Sequence, residues 1–190
     1  MAKFKLGLIV GSNRRESINR KLAQALARLG ADRFEATVIR IDDLPLYNQD
    51  LEAALPASVT RFKSEVAGSD ALLFVTPEHS RSIPAVLKNA IDWGARPWGK
   101  TSWPGKPAAV IGTSGGAIST AVTQQHLRAV LGDLGLHIAG GEAYIQFKPD
   151  LIDAQGAVTD DSVRKFLKAF IDNFAAFAGK FVHPATAAAA

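Results

Sequence analysis

The chain has 190 residues, 47% hydrophobic and 21% charged, with a formal net charge of +4 and no cysteine. That length suits one domain burying roughly 70% of its unfolded surface, and the missing cysteine excludes disulfides, thiolate nucleophiles and zinc–thiolate sites. No run of 18 apolar residues suggests a membrane span, and the bases lack the aromatic-interleaved clustering of a nucleic-acid surface.

In chain order, the first element is an apolar run over 4–10 that predicts a buried strand. It follows directly on the opening residues, which show no leader cleavage site and read as mature structure; a cytoplasmic location fits the cysteine-free composition. The run stops at Gly11-Ser12-Asn13-Arg14-Arg15-Glu16-Ser17-Ile18-Asn19, and a helical pattern follows over 17–29 with Ile18, Leu22, Ala25, Leu26 and Leu29 on one face. A strand that enters a helix through hydroxyl, amide and guanidinium groups is suited to phosphate. Free amides at a helix N-terminus and the helix dipole both favour an anion. Ser12, Ser17 and Asn19 can add hydrogen bonds, and Arg14 can grip phosphate oxygens through its planar fork. Arg14, Arg15, Arg20 and Lys21 against Glu16 give residues 11–21 a formal +3 of the chain's +4. A capped surface turn with stray charge would use Ser17 in the same way, so Arg14 is the discriminating residue.

Further strands are predicted at 36–41, 71–75, 108–112 and 136–139, with an extension at 143–147, and further helices at 57–67, 84–93, 119–132 and 159–178. Pro84 suits a first helical position, where its missing amide costs nothing. The last helix is assigned an inner stripe of Val163, Phe166, Leu167, Phe170, Phe174 and Phe177. Five strands alternating with five helices predict an α/β, doubly wound five-stranded parallel sheet in three α/β/α layers, forming a single domain over 1–182. Residues 183–190 read as a disordered tail.

Ligands of open parallel sheets bind beyond the carboxyl ends of the strands. Three polar or glycine-rich turns fall on that edge: Gly11–Asn19, then Thr76-Pro77-Glu78-His79-Ser80-Arg81-Ser82-Ile83, then Thr113-Ser114-Gly115-Gly116-Ala117. The last two can present backbone amides to a flat heterocycle. Glu78 and His79 suggest acid–base chemistry, but neither a nucleophile nor an orienting third residue accompanies them. The favoured reading is a carboxylate that caps amides or meets a neighbouring subunit. His126 and His137 read as structural. Trp93, Trp98 and Trp103 flank the stretch 94–107, either as walls of an apolar pocket or as packing against another subunit. A literal Walker pattern at Gly94-Ala95-Arg96-Pro97-Trp98-Gly99-Lys100-Thr101 is rejected, because a helix precedes it and no helix follows. The dinucleotide fingerprint G-x-G-x-x-G is absent after the first strand. No metal-ligand spacing appears.

Together, Gly11-Ser12-x-Arg14-x-x-Ser17-x-Asn19, Thr76–Pro84 with Leu87-Lys88-Asn89-Ala90-Ile91-Asp92-Trp93, and Gly112–Ala117 with Gln125-His126-Leu127-Arg128 resemble the NADPH-dependent FMN reductase family over about residues 3–180. That group includes flavodoxin-like quinone, chromate and azo reductases. The resemblance implies a flavodoxin-like fold, bound FMN, NADPH or NADH as co-substrate, a homodimer or homotetramer, and ping-pong hydride transfer to a small acceptor. It places Ser12, Arg14, Ser17, Ile18 and Asn19 on the FMN phosphate, Pro77, Glu78, His79 and Ser80 along the flavin ring, and Ser114, Gly115, Gly116 and Ala117 on its other side. No protein side chain is then required as a catalytic acid or base. The chain departs from the family's common Pro-Glu-Tyr-Asn at His79 and Ser80, positions tied to ring stacking and acceptor choice. Two rival functions remain at this level. A flavodoxin-type FMN electron carrier lacks NAD(P)H chemistry and usually docks through an acidic surface, unlike this chain's +4. A nucleotide hydrolase would use residues 94–101.

Overall fold

The structure is a computed structural model and describes residues 3–182. Six strands run through it: β1 (Phe4–Val10), β2 (Phe34–Val38), β3 (Ala71–Val75), β4 (Pro107–Ser114), β5 (His137–Ile138) and β6 (Tyr144–Gln146). The helices are α1 (Ile18–Leu29), α2 (Ala57–Ala67), α3 (Ala85–Ala95), α4 (Ala121–Asp133) and α5 (Asp161–Ala178), with a short 3-10 turn at Gln49–Ala53. The sheet is parallel throughout, ordered β2-β1-β3-β4-β5, with β6 also pairing with β4. This is the flavodoxin-like arrangement of five strand positions.

The fifth position is shared by two fragments. β5 pairs with the start of β4 (Pro107↔His137) and β6 with its end (Gly112↔Tyr144). Between them the chain leaves the ladder at Gly140-Gly141. The Arg128 guanidinium takes up the freed carbonyls, donating to Ala139 O at 2.7 Å and Gly141 O at 2.6 Å. The predicted strand 136–139 and its extension 143–147 are therefore two separate ladders on one neighbour.

Alternation along the central strands divides the core. Leu6, Leu8 and Val10 of β1 and Leu73 and Val75 of β3 face α1 and α5. Ile9, Leu72 and Phe74 face α2, α3 and α4. β2 lies earlier than the expected 36–41, because Phe34 opposite Phe4 starts its register and Val38 opposite Leu8 ends it. Ile39 and Ile41 are buried beyond that ladder, on the α2 side. In α5 the buried stripe is Leu167, Ile171, Phe174, Ala175 and Ala178. Phe166, expected on that stripe, is 45% exposed, because the buried face follows the 167–171–175–178 row. The expected tail at 183–190 lies outside the described residues.

Trp93 and Trp103 are core residues, both 0% exposed, whereas Trp98 is 87% exposed. The three tryptophans therefore do not form one wall. Trp103 fits because Gly94 has no side chain: a Cβ there would lie 2.1 Å from the indole. The Lys63 ammonium organises the 94–101 loop, donating to the carbonyls of Gly94, Arg96 and Lys100 at 3.3, 2.8 and 2.9 Å. Burial holds that ammonium below its ordinary pKa. A phosphate site needs converging amides, and here carbonyls converge on a cation, so the Walker-like string is a structural loop.

Candidate functional site

The strand order reverses between β1 and β3, so their carboxyl ends part and open a crevice at that edge. A cleft of about 570 Å³ lies there. The loops after β1, β3 and β4 all reach it, as the chain order of polar turns requires.

The loop after β1 leaves the sheet with Gly11 N–H still bonded to Val75 O at 2.9 Å. Ser17 then caps α1, its Oγ accepting from Arg20 N–H at 3.3 Å. The amides of Ile18 and Asn19, the first two of the helix, have no intrahelical acceptor and lie on the cleft wall. Arg14 is exposed on the same wall, and among the described residues its guanidinium makes no hydrogen bond or ion pair. Asn19 has a different role for its side chain. Its Nδ2 donates to Thr113 O at 2.9 Å and its Oδ1 accepts from Thr113 N–H at 3.0 Å, in a region 1% exposed at Asn19. That carboxamide fastens α1 to the end of β4, which leaves the residue's backbone amide to face a ligand.

The loop after β3 is a tight hairpin. His79 and Ser82 exchange backbone hydrogen bonds at 3.2 and 2.9 Å, with Ser80 and Arg81 between them at φ 48° and 60°. Two residues in the left-handed region are the signature of a type I′ turn, which normally selects Asn and Gly. The Glu78 carboxylate crosses to α4 and accepts from Thr123 N–H at 3.0 Å, while Arg81 donates to its other oxygen at 2.9 Å. The Glu78 side chain is only 8% exposed. Thr120 offers α4 no side-chain cap, so Glu78 supplies one from another loop, and the structural reading of this carboxylate holds. Ser82 Oγ lies 3.3 Å from His126 Nδ1, a second tie to α4. His137 packs its ring on Phe181 at 4.1 Å.

Ser80 carries an ordinary side chain where the backbone is left-handed. Ser80→Asn is expected to raise stability by about 0.5–1 kcal/mol, because Asn tolerates this region best among non-glycine residues. Urea unfolding of the FMN-free protein reads this directly. An unchanged midpoint would mean that the loop relaxes its φ at no cost.

The loop after β4 brings Ser114 and Gly115 to the cleft. Gly115 has no positive φ, and a Cβ there would meet nothing within 4 Å. Neither backbone strain nor packing within the chain accounts for glycine at this point. Gly115 also lines the cleft, so a glycine here leaves that wall without a side chain. Of the expected site residues, Ser12, Arg14, Ser17, Ile18, Asn19, Pro77, Glu78, His79, Ser114 and Gly115 share this cleft, while Ser80, Gly116 and Ala117 lie outside its lining. Gly116 and Ala117 belong to the exposed turn leading to α4. Asn13, Pro84, Ala85, Val86 and Thr113 also line the cleft, although none of them was assigned to the cofactor from the sequence. Pro84 is the N-cap of α3, one position before the first helical position expected for it, and no side chain caps the helix, so the amides of Ala85 and Val86 open a second helix N-terminus on the same lining. Pro84 following an apolar strand and a polar turn was the available signal.

Comparison with known proteins agrees with this geometry. The family model for NADPH-dependent FMN reductase matches residues 4–150. A 2-hydroxy-1,4-benzoquinone reductase from a Burkholderia species is 47% identical over 92% of this chain and 96% of that protein. A quinone reductase from Pseudomonas putida is 46% identical over 92% and 94%. The structure of FerB, a flavoenzyme NAD(P)H:(acceptor) oxidoreductase from Paracoccus denitrificans, superposes with a TM-score of 0.91 at 45% identity, covering 94% of this chain and 98% of that one. The chain belongs to the NADPH-dependent FMN reductase family, and as a member it is an NAD(P)H-dependent oxidoreductase with FMN as its cofactor.

Proposed function

We propose that this enzyme is a quinone reductase in which Ser12, Arg14, Ser17 and the amides of Ile18 and Asn19 hold the FMN phosphate. Pro77, Glu78 and His79 lie along one side of the flavin, with Ser80 shaping their turn. Ser114 and Gly115 lie along the other side, with Gly116 and Ala117 closing the turn behind them. The observation that carries this reading is the convergence, in one cleft, of two free helix amides, an unpaired guanidinium and a glycine whose missing side chain nothing in the chain explains.

When bound, FMN supplies the hydride chemistry between nicotinamide and acceptor. The chain contributes position and charge. Arg14 and the α1 amides fix the anionic end. The amides at the head of α3 and around Ser114–Gly115 offer a preorganised field for negative charge on a ring lying between them. The Glu78 carboxylate is committed to Thr123 and Arg81, and no general acid or base is assigned to the chain. The preferred acceptors are quinones, which the relatives' names support, and chromate and azo compounds are further candidates. NAD(P)H and acceptor use one face in turn, which gives ping-pong kinetics. Trp98 and Leu46, 87% and 81% exposed, support assembly as a homodimer or homotetramer.

Anaerobic mixing of the yellow holoprotein with NADPH tests the function. The flavin absorbance should bleach and return on adding a benzoquinone. Flavin that stays oxidised would favour an electron carrier instead. Arg14→Ala should weaken FMN binding by about 1.5–3 kcal/mol, the scale of a hydrogen bond to a charged group, with unchanged stability of the FMN-free protein. Calorimetric titration showing wild-type affinity would remove Arg14 from the phosphate site.

A further inference from the structure

A second pocket opens beyond the carboxyl ends of β1 and β2, where Val38 lies opposite Leu8. Its volume is about 290 Å³. Ser12 and Asn13 line both this pocket and the flavin cleft. It therefore adjoins the phosphate end of the cleft and is remote from the ring end formed by 77–79 and 113–115. Its remaining chemistry comes from Arg20 at the start of α1, Arg40 and Asp42 after β2, and Val38, which is 52% exposed. Arg40 Nε donates to Asp42 Oδ1 at 2.7 Å. The Asp42 carboxyl is held below its ordinary pKa chiefly by that hydrogen bond, with the charges of Arg40 and Arg20 adding to it. Both guanidiniums thus act on one carboxylate at the pocket wall.

We propose that this pocket is an adenosine-phosphate subsite. Two arginines beside the first phosphate position suit a second phosphate, through forked charge-assisted hydrogen bonds. The Asp42 carboxylate, just past the second strand, can accept hydrogen bonds from a ribose diol. An exposed valine at the strand end offers an apolar rest for a purine. Two ligands carry this group to this place: the AMP half of FAD, which continues from the flavin phosphate, and the adenosine end of NADPH. The inference rests on the flavin phosphate sitting at the head of α1, as proposed above.

Three measurements on wild type and on the double variant R20A/R40A decide it: FAD and FMN titrated into FMN-stripped protein, 5′-AMP titrated into holoprotein, and the KM for NADPH. FAD binding within about tenfold of FMN, lost in the variant by about tenfold or more beyond any loss of FMN binding, supports the subsite with FAD as its source. AMP binding to holoprotein, or a KM for NADPH about tenfold higher in the variant at unchanged kcat, supports it with the nicotinamide coenzyme as source. If the variant changes none of these affinities, or if wild type binds neither FAD nor AMP at about 10 mM and the KM is unmoved, the pocket is only a surface dent beside an ion pair. Failure of FMN itself to bind wild type is a separate result, which defeats the phosphate-loop reading first.

Discussion

Gly112→Ala is expected to cost more than about 4 kcal/mol and to yield little folded protein, the range reserved for forced backbone displacement. Gly112 lies in β4 where β3 turns away, and a Cβ there would sit 2.0 Å from Thr76 O and 2.5 Å from Thr120 Oγ1. Neither neighbour can yield cheaply. Thr76 N–H is bonded to Ile111 O at 3.0 Å, and Thr120 is fully buried at the head of α4 with its Oγ1 accepting from Gln124 Nε2. Any relief moves Thr76-Pro77, and with it the loop that lines the cleft. Gly115→Ala, three residues on, is the matched control. Its Cβ enters open space, so the melting temperature of the FMN-free protein should stay at wild type while FMN affinity falls. Soluble yield and thermal melts of both variants read the contrast. A Gly112→Ala protein that melts like wild type would show that β3 and β4 do not need this close approach. A Gly115→Ala protein with full FMN affinity would show that the open space is not the flavin's.

What the sequence disclosed follows from which interactions are local. β1, α1, β3 and α2 came out within a residue of their predicted bounds, because each has an unbroken apolar pattern and a sharp stop at glycine, serine or proline. The turn at 11–19 was legible for the same reason: strand, polar turn and helix start are contiguous. Features made across long separations were not. The clamp of Arg128 on Ala139 and Gly141 makes two short ladders out of what looks like one strand with an extension. Trp103 is buried only because Gly94, nine positions earlier, has no side chain, so composition could not separate it from exposed Trp98. Phe166 was placed on the α5 stripe by hydrophobicity, although Ile171, Ala175 and Ala178 carry that row. In the cleft, Glu78 was correctly read as a cap, but its partner amide at Thr123 lies 45 residues away. The side chain of Asn19 was read as a phosphate ligand because its bond to Thr113 spans 94 residues.

Asn19→Ala is therefore the second variant expected to act strongly, and through the scaffold. β3 keeps pace with β4 only to the pair Val75↔Ile111. Two residues later the Asn19 carboxamide stands in for a missing strand, giving Thr113 a donor and an acceptor in the geometry of a peptide group. Removing it deletes two buried hydrogen bonds and leaves the amide and carbonyl of Thr113 short of partners. At about 1 kcal/mol net for each bond, plus about 1–3 kcal/mol for stranded buried groups, the expected loss is about 3–5 kcal/mol. Asn19→Asp should be no better, since a carboxylate cannot donate to Thr113 O and would be buried facing it. The same bonds fix the head of α1 against the start of the 114–117 loop, so FMN bridging the two should stabilise the variant too, but by less than it stabilises wild type. Ligand at 1,000 times its dissociation constant stabilises by about 4 kcal/mol. In Asn19→Ala that gain shrinks with the weakened affinity, because some binding energy is spent on docking the helix. Thermal melts of wild type and variant, with and without excess FMN, separate the two contributions. A variant that loses FMN affinity without losing stability would return the Asn19 side chain to the phosphate. One that loses stability without ligand and gains less from FMN than wild type does makes it the joint between the two halves of the site.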